Sequence, residues 1–391
     1  MKDLDPAYLA RLKKICKNVN DSVKGSAMTY LGSKDTVSIK RFSSSVPSLD
    51  EALGGGWPFG RLVELYGSES CGKTTLCLHA IAQFQKDFPD EFVAWIDSEA
   101  SFDAEYAMKL GVDIRPICFS TPDTGEEAVN QIRQLLKDGV KLIVIDSVAA
   151  LVPAVEREKA FGERTVGETA RLMSVSLKQL AVDAYKCDSI MMFTNQVRDK
   201  IGVMYGDKTT TPGGRSLRHH CSIRLELRPM GFDKEGEKTV SVKIKATTKK
   251  NKTFSPMRVS EYNITFGIGV DAIIDIFNTG VEYGLIEKSG AWYSFEDKKI
   301  GQGKAQAVLF MRDNPDEFEK VKTQIAAIKA SGKIPSQTLA TTANKLGKKV
   351  KMPKLQAADK PREEIEEDGE ASGDDSGESL DLEPKEEVAE V

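Results

Sequence analysis

No stretch of the 391 residues approaches the roughly 20 consecutive apolar positions needed to span a bilayer. The opening Met1-Lys2-Asp3-Leu4-Asp5 also lacks the apolar region of a secretion signal. The chain is therefore expected in the cytoplasm, with no membrane partner. C-x-x-C pairs are missing too. The six cysteines (Cys16, Cys71, Cys77, Cys118, Cys187 and Cys221) are scattered, a pattern of reduced thiols and not of a zinc module. His219-His220-Cys221 groups metal-capable side chains, but no second ligand pair stands at a useful spacing. Net charge is nearly absent as well, at −4, yet this hides an asymmetry. From Pro361 to Val391 fourteen Asp and Glu face only Arg362 and Lys385, giving −12, so the preceding 360 residues carry +8. A basic body with an acidic tail suits a polyanionic partner and a tail that competes for its site; a purely solvating tail is the plainer alternative.

What is present centres on Gly67-Ser68-Glu69-Ser70-Cys71-Gly72-Lys73-Thr74, which fits the G-x-x-x-x-G-K-[ST] phosphate-binding loop residue for residue. It follows the apolar Leu62–Tyr66, read as a strand, and enters Thr75–Phe84, whose apolar residues recur at helical spacing. Backbone N–H groups in such a loop turn toward phosphate oxygens at the positive end of a helix. Lys73 is expected to reach the β and γ phosphates of ATP, and Thr74 to hold Mg²⁺.

Three further strands are expected to end in chemistry. Phe92–Asp97 leads to Asp97-Ser98-Glu99, which makes Glu99 a candidate base for water. Leu142–Ile145 closes on Asp146, an acid placed to share the Mg²⁺ with Thr74. Ser189–Gln196 ends in an amide suited to reading a γ-phosphate. Beyond it, Val197–Gly214 mixes Arg198, Lys200 and Lys208 with Met204-Tyr205, and Arg215 follows. Cations around an apolar and aromatic centre suit single-stranded nucleic acid. The polar segment Glu156–Gly167 is a second candidate, and a ligand-free surface loop remains open for both.

At the N-terminus, Asp5-Pro6 starts a helix whose Leu9, Leu12, Ile15, Val19 and Val23 make one apolar stripe, to be covered by the chain's own core or by another subunit. Late strands are expected at Ser222–Leu227, Val240–Ala246 and Glu261–Phe266, with Lys249-Lys250-Asn251-Lys252 in a turn between the last two. A small helical and turn unit follows from Asp271 to about Lys333. The basic Lys345–Lys360 and the acidic tail bury no core.

Taken together, Gly67–Thr75, Asp97-Ser98-Glu99, Pro122–Glu126, Ile145–Leu151, Asn195-Gln196, Lys200–Met204, Lys250-Asn251-Lys252, and Gly290–Ser294 with Gly301–Lys304 resemble the bacterial RecA recombinase family, in a bacterial or phage version, from about Leu9 to Ala327. The resemblance implies an α/β fold: a RecA-type P-loop ATPase core with a mostly parallel central sheet and antiparallel extension, an N-terminal helix, and a small C-terminal α+β domain. It divides the chain into a polymerisation helix and linker (1–35), the core with two DNA-binding loops (36–270), the small domain (271–333) and a basic, then acidic tail (334–391). It implies a DNA-dependent ATPase that forms helical filaments on single-stranded DNA and catalyses pairing and strand exchange with homologous duplex in DNA repair and the SOS response. Self-association follows, and a LexA-type repressor and loader proteins join the expected partners.

By position, the resemblance makes Glu99 the water-activating carboxylate, Gln196 the γ-phosphate sensor, Asp103 and Tyr106 adenine contacts, and Lys250 and Lys252 lysines delivered to the ATP of the adjacent subunit. Gly67–Thr75, with Lys73, hold the nucleotide. DNA contacts fall to Arg171, Arg198, Lys200, Met204, Tyr205, Lys208, Gly213, Gly214 and Arg215, and the N-terminal helix is assigned to polymerisation. The departures are Cys71 in place of the usual Ser, Tyr205 in place of Phe, Thr211-Pro212 at the second loop's exit, and His219 where an aromatic interface residue is usual. Two rival classes, a hexameric RecA-fold helicase or circadian-type ATPase and a non-catalytic coating protein, are disfavoured by Lys250-Asn251-Lys252, the N-terminal helix, the Trp292 unit and Glu99.

Overall fold

The structure, a computed structural model, describes residues 5–23, 28–30, 39–157, 167–199 and 209–331. Lys200, Met204, Tyr205, Lys208, most of 156–167 and the tail lie outside the described residues. The chain divides into units 1–342 and 343–391, and every described residue belongs to the first.

Runs such as Leu142-Ile143-Val144-Ile145 are apolar at every position because their strands are covered on both faces, as strands of a parallel sheet must be. The strands are β1 (Leu62–Gly67), β2 (Val93–Asp97), β3 (Ile117–Ser120), β4 (Leu142–Asp146), β5 (Ile190–Gln196), β6 (Ile223–Glu235), β7 (Lys238–Asn251), β8 (Val259–Thr265) and β9 (Gly269–Val270). They form one sheet in the order β9-β8-β7-β6-β1-β5-β4-β2-β3. From β6 to β3 all neighbours are parallel, while β7, β8 and β9 add an antiparallel extension.

Helices cover each face. On one side α2 (Pro47–Leu53) and α3 (Lys73–Asp87) bury Leu49, Leu53, Leu76, Ile81 and Phe84 against Val63, Leu65, Trp95 and Val144. On the other, α5 (Gly125–Lys137) and α6 (Glu168–Lys186) bury Ile132, Leu136, Leu177 and Leu180 against Ile96, Ile143, Ile145 and Phe193. Each such side chain contributes about 1.5–3 kcal/mol of burial. The short α4 (Ala104–Lys109) lies between β2 and β3 in the chain. His79 ties α3 to the sheet's far edge: its Nε2 accepts a hydrogen bond from Val270 N at 2.8 Å.

The helix α1 (Pro6–Ser22) starts where Asp5 caps it, the carboxylate accepting from Ala7 N at 3.0 Å. None of its side chains is buried, and Ile15 is 56% exposed. Among the described residues none buries the apolar stripe, whose Leu9, Leu12 and Val19 are half-buried.

Two expectations change in extent. The late strands pair as a hairpin much longer than Ser222–Leu227 and Val240–Ala246, because register shifts at Pro229/Gly231 and Asp233/Lys234 absorb the residues that interrupt the pattern. Lys250 consequently lies in β7 and not in a turn. The unit after Asp271 also holds a sheet: β10 (Ile286–Ser289), β11 (Trp292–Phe295) and β12 (Lys298–Gln302) are joined first by a two-residue turn at Gly290-Ala291. They pack with α8 (Ala272–Glu282), α9 (Lys304–Asp313) and α10 (Pro315–Ser331) around Phe277, Ile286, Phe295 and Met311. Asp275 of α8 accepts from Ser48 N and Ser48 Oγ, both at 2.8 Å, joining this unit to α2.

Candidate nucleotide site

Parallel strands deliver their carboxyl ends to one edge of a sheet, and that edge is where an α/β fold gathers chemistry. Here Gly67 of β1 pairs with Gln196 of β5, and Asp97 of β2 pairs with Asp146 of β4. The motif residues therefore stand side by side, although up to 129 positions separate Gly67 from Gln196 in the chain.

The loop 67–72 bends over the start of α3. Gly67 has no room for a side chain, since a Cβ would lie 2.2 Å from Leu227 O, and Gly72 caps α3 at φ +81° with Ile264 Cδ1 2.1 Å from where a Cβ would go. Cys71 is fully buried beneath the loop, and burial pushes its thiol pKa up. Lys73 Nζ donates to Ser68 O at 2.8 Å and to Gly67 O at 3.4 Å, so its ammonium lies folded over its own loop.

Thr74 Oγ1 donates to Asp146 Oδ2 at 2.7 Å. Thr194 donates to the other oxygen of the same carboxylate. Burial raises the Asp146 pKa above the usual carboxylate range; these two hydrogen bonds oppose the rise, and the neighbouring Glu99 and Asp97 charges add to it. A divalent cation beside this hydroxyl and carboxylate would relieve the crowding of negative charge, and hard oxygen donors are what Mg²⁺ selects.

Glu99 leaves the sheet in a tight bend shaped by Asp97. That buried carboxylate accepts from Glu99 N at 3.2 Å and from Ser101 N and Phe102 N at 2.9 Å each. Ser147 Oγ donates to Glu99 Oε1, and Gln196 Nε2 lies 3.4 Å from the same oxygen. Ser98 Oγ donates to Ser147 O at 2.7 Å, closing the bend onto β4. Asp103 caps α4, accepting from Tyr106 N at 2.9 Å, while Tyr106 OH lies 3.0 Å from Thr75 Oγ1. Tyr106 thus borders the first turn of α3.

The remaining expected residues lie elsewhere. Lys250 Nζ donates to Arg218 O at 2.5 Å and His219 O at 2.9 Å, holding the carbonyl end of α7 (Gly214–His220) within the same chain. Burial first, then Lys252, lowers its pKa. Lys252 is exposed. The base of the second loop is a short ribbon, Arg198–Asp199 paired with Thr209–Thr210. Gly213 and Gly214 pack against Met173 and Ala170, next to the exposed Arg171 on the first turn of α6, and Arg215 lies within α7.

Six contributors were given no role by the reading of motifs: Asp97, Ser147, Thr194, Glu64, Asn195 and Arg224. Asp97, Ser147 and Asn195 stood inside quoted motifs beside the residues that were assigned; Glu64, Thr194 and Arg224 are polar residues inside apolar strands, and that interruption is the signal that could have found them.

A family model for the RecA N-terminal domain matches residues 10–271, and one for the RecA C-terminal domain matches residues 274–328. The chain is 40% identical to "Protein RecA" of Chlorobaculum parvum over 325 residues, 82% of this chain and 93% of the relative. It is 42% identical to "Protein RecA" of Bacillus subtilis over 327 residues, 83% and 92% of the two chains. It is 44% identical to that of Halalkalibacterium halodurans over 304 residues, 77% and 86%.

Proposed function

The chain belongs to the RecA family, and from that premise we propose how its nucleotide site operates and what each residue contributes. It is a recombinase of DNA recombination and repair, a DNA-dependent ATPase that binds ATP and both single- and double-stranded DNA and assembles into filaments.

In the proposed mechanism, the backbone of Gly67–Gly72 cradles the triphosphate, and Lys73 exchanges the carbonyls of Ser68 and Gly67 for β and γ phosphate oxygens. Asp103 and Tyr106 flank the adenine. Thr74 and Asp146 would hold Mg²⁺, which when bound draws charge off the phosphate oxygens. Glu99 takes the proton from the attacking water. Ser147 and Gln196 fix its Oε1, leaving Oε2 as the oxygen assigned to the water. Gln196 would also feel the γ-phosphate, and Lys250 and Lys252 would reach the neighbouring subunit's nucleotide. The loops 156–167 and 197–212, with Arg171, Gly213, Gly214 and Arg215, would contact DNA, and α1 would supply the polymerisation contact for which its apolar stripe is suited. The four-segment division at residues 35, 270 and 333 belongs to the same proposal, as do a LexA-type repressor and loader proteins as partners. No helix among the described residues is long and apolar enough to cross a membrane, and a cytoplasmic location is proposed.

The observation that carries this reading is the convergence of Ser147 and Gln196 on one oxygen of Glu99 beside the Thr74–Asp146 pair. Strand exchange between circular single-stranded and linear duplex DNA tests the whole. ATP-dependent joint molecules are expected, and ATP turnover without them would leave only a DNA-stimulated ATPase.

A further inference from the structure

Behind the nucleotide site a polar junction links three neighbouring strands of the sheet. Glu64 of β1 is fully buried, and its register partner on β6 is Arg224, which donates through Nε to Glu64 Oε2. The Arg224 guanidinium also lies over the Tyr66 ring, 4.4 Å from its centroid. Asn195 of β5, equally buried, completes the cluster. Its Nδ2 donates to Glu64 Oε1 at 3.1 Å and to Pro212 O at 3.0 Å, and its Oδ1 accepts from Gln196 N at 3.0 Å.

The side-chain amide of Asn195 thus spends its two donor hydrogens on two other segments, at Glu64 and Pro212, and its acceptor on the next residue of its own strand, Gln196. A carboxylate only accepts, so Glu64 decides which end of the amide faces it, and Arg224 holds that carboxylate in place. With Nδ2 turned to Glu64, Oδ1 is committed to Gln196 N, and the second Nδ2 hydrogen is committed to Pro212 O. Pro212 immediately precedes Gly213-Gly214 and α7, the exit from the segment assigned to DNA. A displacement of the Gln196 backbone therefore cannot leave Asn195 unmoved without breaking a part-buried hydrogen bond, and a rotated Asn195 releases Pro212.

We propose that Asn195 is a positioning residue that transmits nucleotide state from Gln196 to the exit of the second DNA loop at Pro212, with Glu64 and Arg224 as its fixed anchor. This rests on the reading of Gln196 as nucleotide sensor and of residues 197–212 as a DNA-binding loop. Neither Asn195 nor its anchor is among the residues assigned to the nucleotide.

The test uses the full chain and a labelled oligothymidylate, whose affinity is measured with and without a slowly hydrolysed ATP analogue. Asn195→Ala should bind the analogue as the parent does, yet its nucleotide-linked gain in oligonucleotide affinity should fall on the order of tenfold, as expected for the lost part-buried hydrogen bond to Pro212. Asn195→Ser is the second variant should the alanine chain not fold. A hydroxyl has a single hydrogen to donate, which the charged Glu64 claims before Pro212, so the same loss is expected. Arg224→Lys separates positioning from plain stability. It keeps a cation beside Glu64 but loses the planar stack on Tyr66, so the melting temperature should drop while the nucleotide-linked gain persists. The proposal is overturned if Asn195→Ala and Asn195→Ser keep the full gain, or if Arg224→Lys loses as much of it as they do. Gln196→Ala tells the two readings apart. If it loses the gain while the Asn195 variants keep it, the sensor assignment stands and the transmission falls. If it keeps the gain while the Asn195 variants lose it, transmission through Asn195 stands and the sensor is another group.

Discussion

Thr74 Oγ1 and Asp146 Oδ2 meet at 2.7 Å across two strands and 72 positions of sequence. The contact joins the first turn of α3 to the end of β4, and it sets side by side the hydroxyl and carboxylate proposed to hold a phosphate-bound cation. Thr194 secures the other carboxylate oxygen, so Asp146 has little freedom to turn away. Around that pair the site is built from strand ends, which cannot move apart without breaking the sheet.

The trans role proposed for Lys250 and Lys252 predicts complementation between defective subunits. Lys73→Ala chains lack the phosphate-binding ammonium, and Lys250→Ala/Lys252→Ala chains lack the cations they would deliver to a neighbour. Each alone should show almost no DNA-dependent ATP turnover, while co-assembled filaments should recover part of it, because some intact sites then meet intact lysines. Lys250 holds the carbonyl end of α7 in its own chain, so the double variant should also melt somewhat earlier. No recovery in filaments shown to contain both chains would limit the lysines to that local role.

The acidic segment lies outside the described residues and enters through its charge. Removing Pro361 to Val391 takes away −12 and should strengthen binding to duplex DNA, most at low salt, since screening weakens both the tail's attraction and that of the phosphates. Duplex affinities that coincide across a salt series would reduce the segment to a solubility device.

His79 gives the fold a defined acid sensitivity. Burial lowers its pKa from 6.5 to about 4, and the neutral ring is the form that accepts from Val270 N. The unfolded chain takes up a proton near 6.5 and the folded chain only near 4. Stability is thus untouched above 6.5 and declines as pH falls between those values, by about 3 kcal/mol in full. His79→Gln keeps an acceptor that does not titrate, so its melting temperature should fall less steeply over that interval. Parallel pH profiles would remove His79 from the account.

Much of this was legible because chemistry at a strand end interrupts an apolar run visibly. Gly67–Thr74, Glu99, Asp146 and Gln196 each follow such a run, and the parallel sheet does the rest by aligning the ends. What stayed hidden depends on pairing between distant strands. Glu64 and Arg224 are register partners 160 positions apart, and neither strand alone reveals that the other carries the opposite charge. The long hairpin was hidden for a local reason: bulges let Pro229 and Gly231 sit inside a strand that their residue types argue against. The apolar stripe of α1 was visible as a stripe, but only the fold shows that the chain's described residues do not bury it.

The central claim is that Glu99 is the base of an ATP-hydrolysing site on the carboxyl edge of the sheet. Phosphate release by Glu99→Gln on saturating single-stranded DNA, measured beside nucleotide affinity, tests it most directly. Turnover should fall by about 10²–10⁴-fold with ATP still bound, since an amide cannot take the proton from water. Turnover at the parent rate would contradict the claim.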